Sequence, residues 1–225
     1  MLSIIFFLLT IVGYIVFLRI YNKFSHMLLA PGIAVPLILI TLLYMLEVNY
    51  QQYMHFNQGL VWMIGPATVA FALPIYQYKH ILIKYFIPIS LGVVFGMLSG
   101  VLSSYALAQY FSLDETLTLS LMTRSISTPF AMELANQING SIELSILFTM
   151  LTGIAAVLLA DLVFGLMKLN NHVAQGAALG NAGHGFGTVK AFLRHSDEGV
   201  AACLCMILSG ILMVFVGPYL ILMLI

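Results

Sequence analysis

Charged side chains are so rare in this sequence that most of the chain can only be embedded in a lipid bilayer. Eight Lys and Arg balance eight Asp and Glu among 225 residues, so 7% of the residues are charged and 62% are apolar. An ordinary soluble domain has about a quarter of its residues charged. No basic surface is available to meet phosphates, so nucleic acid is not an expected partner. At about 20 residues per crossing, the length predicts one membrane domain, residues 1–225.

Six apolar runs are long enough to cross the bilayer as helices. They cover residues 2–18 and about 28–46, 60–77, 85–110, 143–167 and 199–224. Basic residues follow the first, third and fifth runs at Arg19, Lys23, Lys79, Lys84 and Lys168. The other loops between runs carry acidic residues instead. The positive-inside rule therefore predicts that the basic loops are cytoplasmic and that both termini lie outside.

Two less apolar stretches, about residues 116–138 and 174–195, stand between the last three runs. In the first, Thr128 followed by Pro129 predicts a helix start in the middle of the stretch. The second is too rich in glycine for a continuous helix, and Thr188 predicts an N-cap there. The distribution of basic residues favours two re-entrant hairpins. The alternative is that each stretch crosses once as a broken helix, which would move Lys168 to the outside.

Irregular backbone at membrane depth is tolerated only where it is buried in protein or lines a wet cavity. Each stretch would supply a half-helix whose free N–H groups and dipole favour an anion. Arg124 adds a full charge that can hold a carboxylate through two parallel hydrogen bonds. A shift of 57 residues places Arg124 on Asn181, Ser127 on His184 and Gly153 on Gly210. This pattern is typical of a secondary transporter with paired interrupted helices, and it predicts an inverted repeat.

The predicted substrate-binding residues lie in the two interrupted stretches: Arg124, Ser125, Ser127, Thr128, Asn181, His184, Gly187 and Thr188. Gly183 and Gly185 are predicted as a hinge. Glu133 and Lys190 are assigned as a coupling group or charge partner, with Glu133 as a partner of Arg124 or Lys190. Two other interpretations stay open, namely a snorkelling Arg124 and a structural, hydrogen-bonded His184. Asp161 stands isolated in a span, and no metal-ligand spacing is present, so neither a metal nor a cofactor is expected.

The two stretches resemble the LrgB/CidB family of bacterial membrane proteins. The resemblance is carried by residues 124–129, 131–133, 176–191 and Glu198-Gly199. It covers a core of residues 85–225, whereas residues 1–84 are scaffold-like helices that are similar in pattern only. Such proteins are described as holin-like regulators of murein hydrolase export and autolysis that act with a smaller LrgA/CidA-like membrane protein. Plastid relatives with a similar domain move glycolate and glycerate, and some bacterial relatives are linked to pyruvate.

Together these features predict an all-α integral membrane protein with about six transmembrane helices, two re-entrant hairpins and an elevator-like architecture. The resemblance implies a multi-pass protein of the bacterial cytoplasmic membrane that forms homo- or hetero-oligomers. The predicted function is secondary transport of small organic anions, namely short monocarboxylates or hydroxycarboxylates such as glycolate, lactate or pyruvate. A holin-like pore that regulates autolysis is the alternative. An enzyme is not expected, since no Gly-x-Ser-x-Gly elbow accompanies Ser125, Ser127 and His184.

Overall fold

The protein is helical throughout the residues that its computed structural model describes, which are 2–24, 29–70 and 72–225. No strand occurs within these ranges. The helices are α1 (Leu2–Phe24), α2 (Pro31–Met45), α3 (Tyr50–Trp62), α4 (Ile64–Ala70), α5 (Ala72–Gln77), α6 (Lys79–Lys84), α7 (Phe86–Tyr110), α8 (Glu115–Met122), α9 (Thr128–Gln137), α10 (Ile142–Leu166), α11 (His172–Arg194) and α12 (Ser196–Leu222). The predicted all-α fold is confirmed.

Five helical stretches among the described residues are long and apolar enough to cross a membrane. They are Ile4–Phe24, Tyr50–Gln77, Phe86–Tyr110, Ile142–Leu166 and Ser196–Leu222. The predicted run at 28–46 becomes α2, which is apolar but has only 15 residues, and residue 28 lies outside the described ranges. The protein is therefore a multi-pass membrane protein, with five long spans where the sequence predicts six.

The predicted run at 60–77 is interrupted near Pro66. A proline lacks the N–H that would bond the carbonyl four residues earlier, and its ring clashes with that carbonyl. Pro66 stands four residues after Trp62, where α3 ends. The apolar stretch also begins earlier than predicted, at Tyr50, because Asn49 caps α3 by accepting a hydrogen bond from the Gln52 N–H.

The chain divides into two compact units, residues 1–67 and 68–225. In the first unit, α1 packs against α2 and α3. The Thr10 and Tyr53 hydroxyls are 3.1 Å apart, and the rings of Phe6 and Tyr53 meet edge to face at 6.3 Å. The predicted division into helices 1–84 and core 85–225 stays a prediction.

The second unit contains both interrupted stretches. Hairpin 1 consists of α8, a link at residues 123–127 and α9. The chain folds back there, because the Ser141 N–H donates to Ser120 Oγ at 2.8 Å and the Ser145 hydroxyl donates to the Ser120 carbonyl at 3.5 Å. The end of the second arm therefore returns to the side of the first.

Hairpin 2 is α11, whose helix is interrupted at His184 (φ 47°, ψ −125°). Its first arm is residues 172–183 and its second arm is residues 185–194. Arg194 Nη2 donates to Gln175 Oε1 at 3.2 Å although the two residues are 19 positions apart. An unbroken helix would separate them by about 28 Å along its axis. Both interrupted stretches thus form helical hairpins, as predicted.

The three long helices of the second unit enclose the hairpins, with α12 at the centre. Of its most apolar window, 67% is buried, against 22% for α7 and for α10. Hairpin 1 lies between α7 and α12 in a core of ten buried residues: Met97, Val101, Leu119, Met122, Ile126, Ala131, Leu134, Ile138, Met213 and Ile221. Hairpin 2 approaches α12 closely, because a Cβ on Gly180 would stand 2.1 Å from the Ala202 carbonyl oxygen.

Candidate functional site

The Arg124 guanidinium lies in the link of hairpin 1 and is held by hydroxyl groups of two long helices. Its Nε donates to Ser104 Oγ at 2.8 Å, its Nη2 to Ser103 Oγ at 3.2 Å and its Nη1 to Thr152 Oγ1 at 3.5 Å. Both serine hydroxyls donate their own protons to the Gly100 carbonyl, so their lone pairs are left to face the guanidinium. This bracket fixes the cation between α7 and α10 without neutralising it.

Within the described residues, Arg124 forms no ion pair. Three acidic side chains of the second unit have other partners: Glu133 accepts a hydrogen bond from Gln137, Asp161 pairs with Lys190 and Arg194, and Glu198 pairs with Arg194. A guanidinium has five N–H donors and three hydrogen bonds are formed, which leaves two donors for another molecule. An uncompensated charge in a membrane protein's interior is expensive and marks a functional position.

The tip of hairpin 2 lies beside the link of hairpin 1 that carries Arg124. The His184 ring is buried, faces the backbone of Ser125 and Asn181, and lies within electrostatic range of Arg124. On α7, a Cβ at Gly96 would touch the Asn181 side chain at 3.4 Å, and a Cβ at Gly100 would collide with Ser125. The two glycines of α7 thus make room for both tips.

Four side chains around this junction carry buried polar atoms that have no hydrogen-bond partner among the described residues. They are Ser127 Oγ, Thr149 Oγ1, Asn181 Oδ1 and both ring nitrogens of His184. Buried polar groups are nearly always paired, by protein or by an ordered water. An accumulation of unpaired donors and acceptors beside an uncompensated cation is the arrangement expected where a small polar ligand completes the hydrogen bonding.

Two half-helices begin at the junction. The N-cap of α9 is Ser127, whose side chain makes no capping bond, and the second arm of hairpin 2 begins at Gly185. The predicted N-caps were therefore displaced: Thr128 is the first residue of α9, and Thr188 lies inside its arm with its hydroxyl on the His184 carbonyl at 2.8 Å. The positive ends of both helix dipoles add to the field of Arg124.

The junction lies at the middle of the long helices. Gly96 and Gly100 are central in the 25 residues of α7, and Thr152 is central in the 25 residues of α10. A Cβ on Gly153, the next residue of α10, would stand 3.2 Å from the Gly183 carbonyl oxygen. A ligand held here would stand near the midplane of the membrane if α7 and α10 span it symmetrically.

Several other predicted site residues make contacts away from the Arg124 guanidinium. A Cβ on Gly187 would be 2.0 Å from the Leu179 carbonyl oxygen, so this glycine closes hairpin 2. Gly183 and Gly185 have no positive φ, and the unusual backbone angle belongs to His184. Glu133 is exposed and contacts neither predicted partner, and Lys190 pairs with Asp161 at 2.6 Å. The sequence suggested that Asp161 stands isolated in its span. In the structure it pairs with Lys190 and Arg194 of another helix.

Three hydroxyl residues of the site, Ser103, Ser104 and Thr152, were missed from the sequence. The available signal was a pair of adjacent serines, Ser103 and Ser104, inside an otherwise apolar span. Among the described residues, no group of three or more His, Cys, Asp or Glu is arranged to hold a metal ion.

Comparison with known proteins agrees with this architecture and names a family. The profile of the LrgB-like family matches residues 10–223. YxaC of Bacillus subtilis is 33% identical over 96% of this chain and 94% of its own. The holin-like protein CidB is 28% identical in Staphylococcus epidermidis and 24% identical in Staphylococcus aureus, each over 96% of this chain and 94% of its own. No solved structure matches. The chain belongs to the LrgB-like family of bacterial membrane proteins.

Proposed function

We propose that this protein is a secondary transporter that binds a small organic anion between the two hairpin tips. The observation that carries the proposal is the Arg124 guanidinium, which is held by neutral hydroxyls and has two N–H donors left over. A carboxylate satisfies both donors in one bidentate contact and neutralises the charge. Since one cation is uncompensated, a short monocarboxylate such as glycolate, lactate or pyruvate fits better than a dianion.

Ser127, Asn181 and His184 would complete the binding of such an anion. Their unpaired polar atoms lie at the tips and can bind a hydroxyl or keto oxygen beside the carboxylate. Ser125 and Thr128 supply backbone at the hairpin link and at the start of α9. The whole set would be exposed alternately to the two sides as the hairpins move, which is the elevator-like cycle expected of re-entrant hairpins.

Reciprocal contacts support the inverted repeat behind that cycle. Gly153 of α10 packs against the Phe186 ring of hairpin 2, and Gly210 of α12 packs against the Phe130 ring of hairpin 1. Each long helix thus receives an aromatic ring from the hairpin of the other half. A twofold relation between two halves generates contacts of this reciprocal kind.

A holin-like pore is the second candidate, and the name of the CidB relatives favours it. Pore and carrier differ in kinetics. Flux through a carrier saturates and shows counterflow, whereas flux through a pore rises with concentration and gives no counterflow. A smaller LrgA/CidA-like partner and assembly into oligomers belong to either version of the proposal.

Counterflow in proteoliposomes tests the proposal. Vesicles loaded with unlabelled glycolate, lactate or pyruvate should accumulate the labelled anion transiently, with saturation and mutual competition. Empty vesicles and vesicles loaded with an uncharged analogue such as ethylene glycol are the controls. Linear, non-saturating flux of all solutes would contradict the carrier and support the pore.

A further inference from the structure

The link between two apolar stretches carries two lysines that have no acidic partner. Lys79 and Lys84 lie at the two ends of α6, which connects the stretch Tyr50–Gln77 to the span of α7. Neither ammonium group forms an ion pair within the ranges that the structure describes. Residues 48–113 contain no Asp or Glu, and no Lys or Arg besides these two. The charge that compensates them therefore comes from solvent or from another molecule.

An aromatic ring lies beside each ammonium group. Lys79 Nζ is 4.8 Å from the centre of the Tyr76 ring, and Lys84 Nζ is 5.1 Å from the centre of the Tyr85 ring. Such cation–π contacts attract the charge without neutralising it. Each ammonium group is thus held in place with its full charge, and the N–H donors that point away from the ring can meet an anion.

The short helix α6 has one side against the protein and one side exposed. Leu82 and Tyr85 pack against the start of α7 and against Cys205 of α12. The exposed residues of the helix are Lys79, His80, Ile83 and Lys84. The helix is therefore fixed to the second unit, and both lysines stand on its exposed side.

The position of α6 in the chain brings this exposed side to the membrane surface. The helix follows Gln77, where one apolar stretch ends, and precedes Phe86, where the 25-residue span of α7 begins. Tyrosine is enriched at the headgroup level of membranes, and Tyr76, Tyr78 and Tyr85 flank the two lysines. Lysines at this level are attracted by the phosphates of anionic lipids.

We propose that α6 and its flanking tyrosines bind the headgroup of an anionic phospholipid, such as phosphatidylglycerol. The phosphate accepts hydrogen bonds from the ammonium groups of Lys79 and Lys84 and supplies the negative charge that this part of the chain lacks. The acyl chains lie along Ile83, Phe86 and Ile87, which are 60–73% exposed. The bound lipid anchors the start of α7 at the membrane surface.

The surface next to the lysines favours a lipid over an acidic protein segment. A phospholipid offers a phosphate and acyl chains together, and this surface offers cations and large apolar side chains together. An acidic loop of another protein would pair with the lysines but leave Phe86 and Ile87 uncovered. The lipid site is also separate from the proposed anion site, because the start of α7 is about 26 Å along the helix from Ser103, which contacts Arg124.

Lipid binding to the purified protein tests the proposal without any assay of transport. Isothermal titration calorimetry in an uncharged detergent measures the affinity of a short-chain phosphatidylglycerol, of phosphatidylcholine with the same acyl chains, and of inorganic phosphate. Both lipids contain a phosphate, but the choline cation cancels its charge. Wild type should bind phosphatidylglycerol more tightly than phosphatidylcholine by about 25-fold, or about fivefold for each lysine. It should also bind phosphatidylglycerol more tightly than inorganic phosphate, which has no acyl chain.

Variants with one or both lysines replaced assign the effect to α6. Lys79→Gln and Lys84→Gln should each weaken phosphatidylglycerol binding by about fivefold, and the double variant by about 25-fold. Lys168→Gln is the matched control, because Lys168 is an exposed lysine just after α10 in the same unit and contacts no aromatic ring among the described residues. All three lysines are exposed, so the variants fold, and an unchanged melting temperature without lipid verifies this.

Four results would overturn the proposal. The first is equal affinity of wild type for the two lipids, and the second is an unchanged affinity for phosphatidylglycerol in the double variant. The third is an equal loss in Lys168→Gln and Lys79→Gln, which would show a general attraction to basic residues. The fourth is tighter binding of inorganic phosphate or of a polyglutamate peptide than of phosphatidylglycerol, which would indicate a free anion or an acidic protein as the occupant.

Discussion

The two hairpins meet at one junction but use their charges in opposite ways. Hairpin 1 has its cation at the tip, where Arg124 is bound by neutral hydroxyls, and its arms are held by apolar packing and the serine contacts around Ser120. Hairpin 2 has its cations at the base, where Lys190 and Arg194 are neutralised by Asp161 and Glu198. Its tip carries no full charge.

This difference separates charges that stabilise the fold from the charge that, in the proposed function, binds the substrate. The paired cations of hairpin 2 anchor it to α10 and α12, so their removal should affect folding. The unpaired cation of hairpin 1 has no acidic partner among the described residues, so its removal should affect binding. The spacing of residues in the sequence makes the two hairpins look like copies of each other. The difference between paired and unpaired cations is visible in their contacts.

The largest expected effect on stability is at the base of hairpin 2. Arg194→Gln leaves the fully buried Glu198 carboxylate without its 2.7 Å partner. Breaking a buried ion pair on one side lowers the free energy of unfolding by about 3–5 kcal/mol. Arg124→Gln, the matched change at the tip of hairpin 1, should lower it by only about 0.5–1.5 kcal/mol. Unfolding in detergent followed by circular dichroism measures both, and equal losses would remove the distinction between the hairpins.

A second effect concerns how closely hairpin 2 approaches α12. In Gly180→Ala the new Cβ would lie 2.1 Å from a backbone carbonyl oxygen, which cannot move aside as a side chain can. Overpacking of this kind lowers the free energy of unfolding by about 1–3 kcal/mol. Gly185→Ala is the control, because nothing lies within 4 Å of its Cβ and its φ is not positive. A stable Gly180→Ala protein beside an unstable Gly185→Ala protein would contradict the described packing.

The smallest of these effects isolates the backbone strain at the tip of hairpin 2. His184 has φ 47° and ψ −125°, a conformation that glycine adopts readily and other residues do not. His184→Ala and His184→Gly both remove the imidazole, but only the glycine variant relieves the strain. The glycine variant should therefore be more stable than the alanine variant by about 1 kcal/mol. The same unfolding experiment measures the difference, and a more stable alanine variant would show that no strain is stored there.

Much of the fold was accessible from the sequence because its signals are local. Long apolar runs predicted most of the spans, and glycine, proline and hydroxyl residues predicted both interruptions. Helix boundaries were less accurate where proline acts at a distance of four residues, as at Pro66. The predicted run at 60–77 therefore covers only the last residues of α3, together with α4 and α5.

The contacts of the site were not accessible, because they join residues far apart in the chain. Asp161 meets Lys190 and Arg194 across separations of 29 and 33 residues, and no helical periodicity records such pairs. Arg124 likewise contacts Ser103 and Ser104, which lie 21 and 20 residues earlier in the chain. The glycines of the second stretch predicted a hinge at Gly183 and Gly185. In the structure neither glycine has a positive φ, and the positive φ belongs to His184.

The central claim is that Arg124 is a free cation kept for an anionic substrate, and its most direct test is the affinity of folded Arg124 variants. Equilibrium binding of labelled glycolate, lactate and pyruvate is compared in wild type, Arg124→Gln and Arg124→Lys. Loss of a charge-assisted contact of about 1.5–3 kcal/mol should weaken binding by about 10- to 150-fold in Arg124→Gln. Arg124→Lys should retain part of the affinity, because it keeps the charge without the bidentate geometry. Wild-type affinity in a correctly folded Arg124→Gln protein would contradict the account.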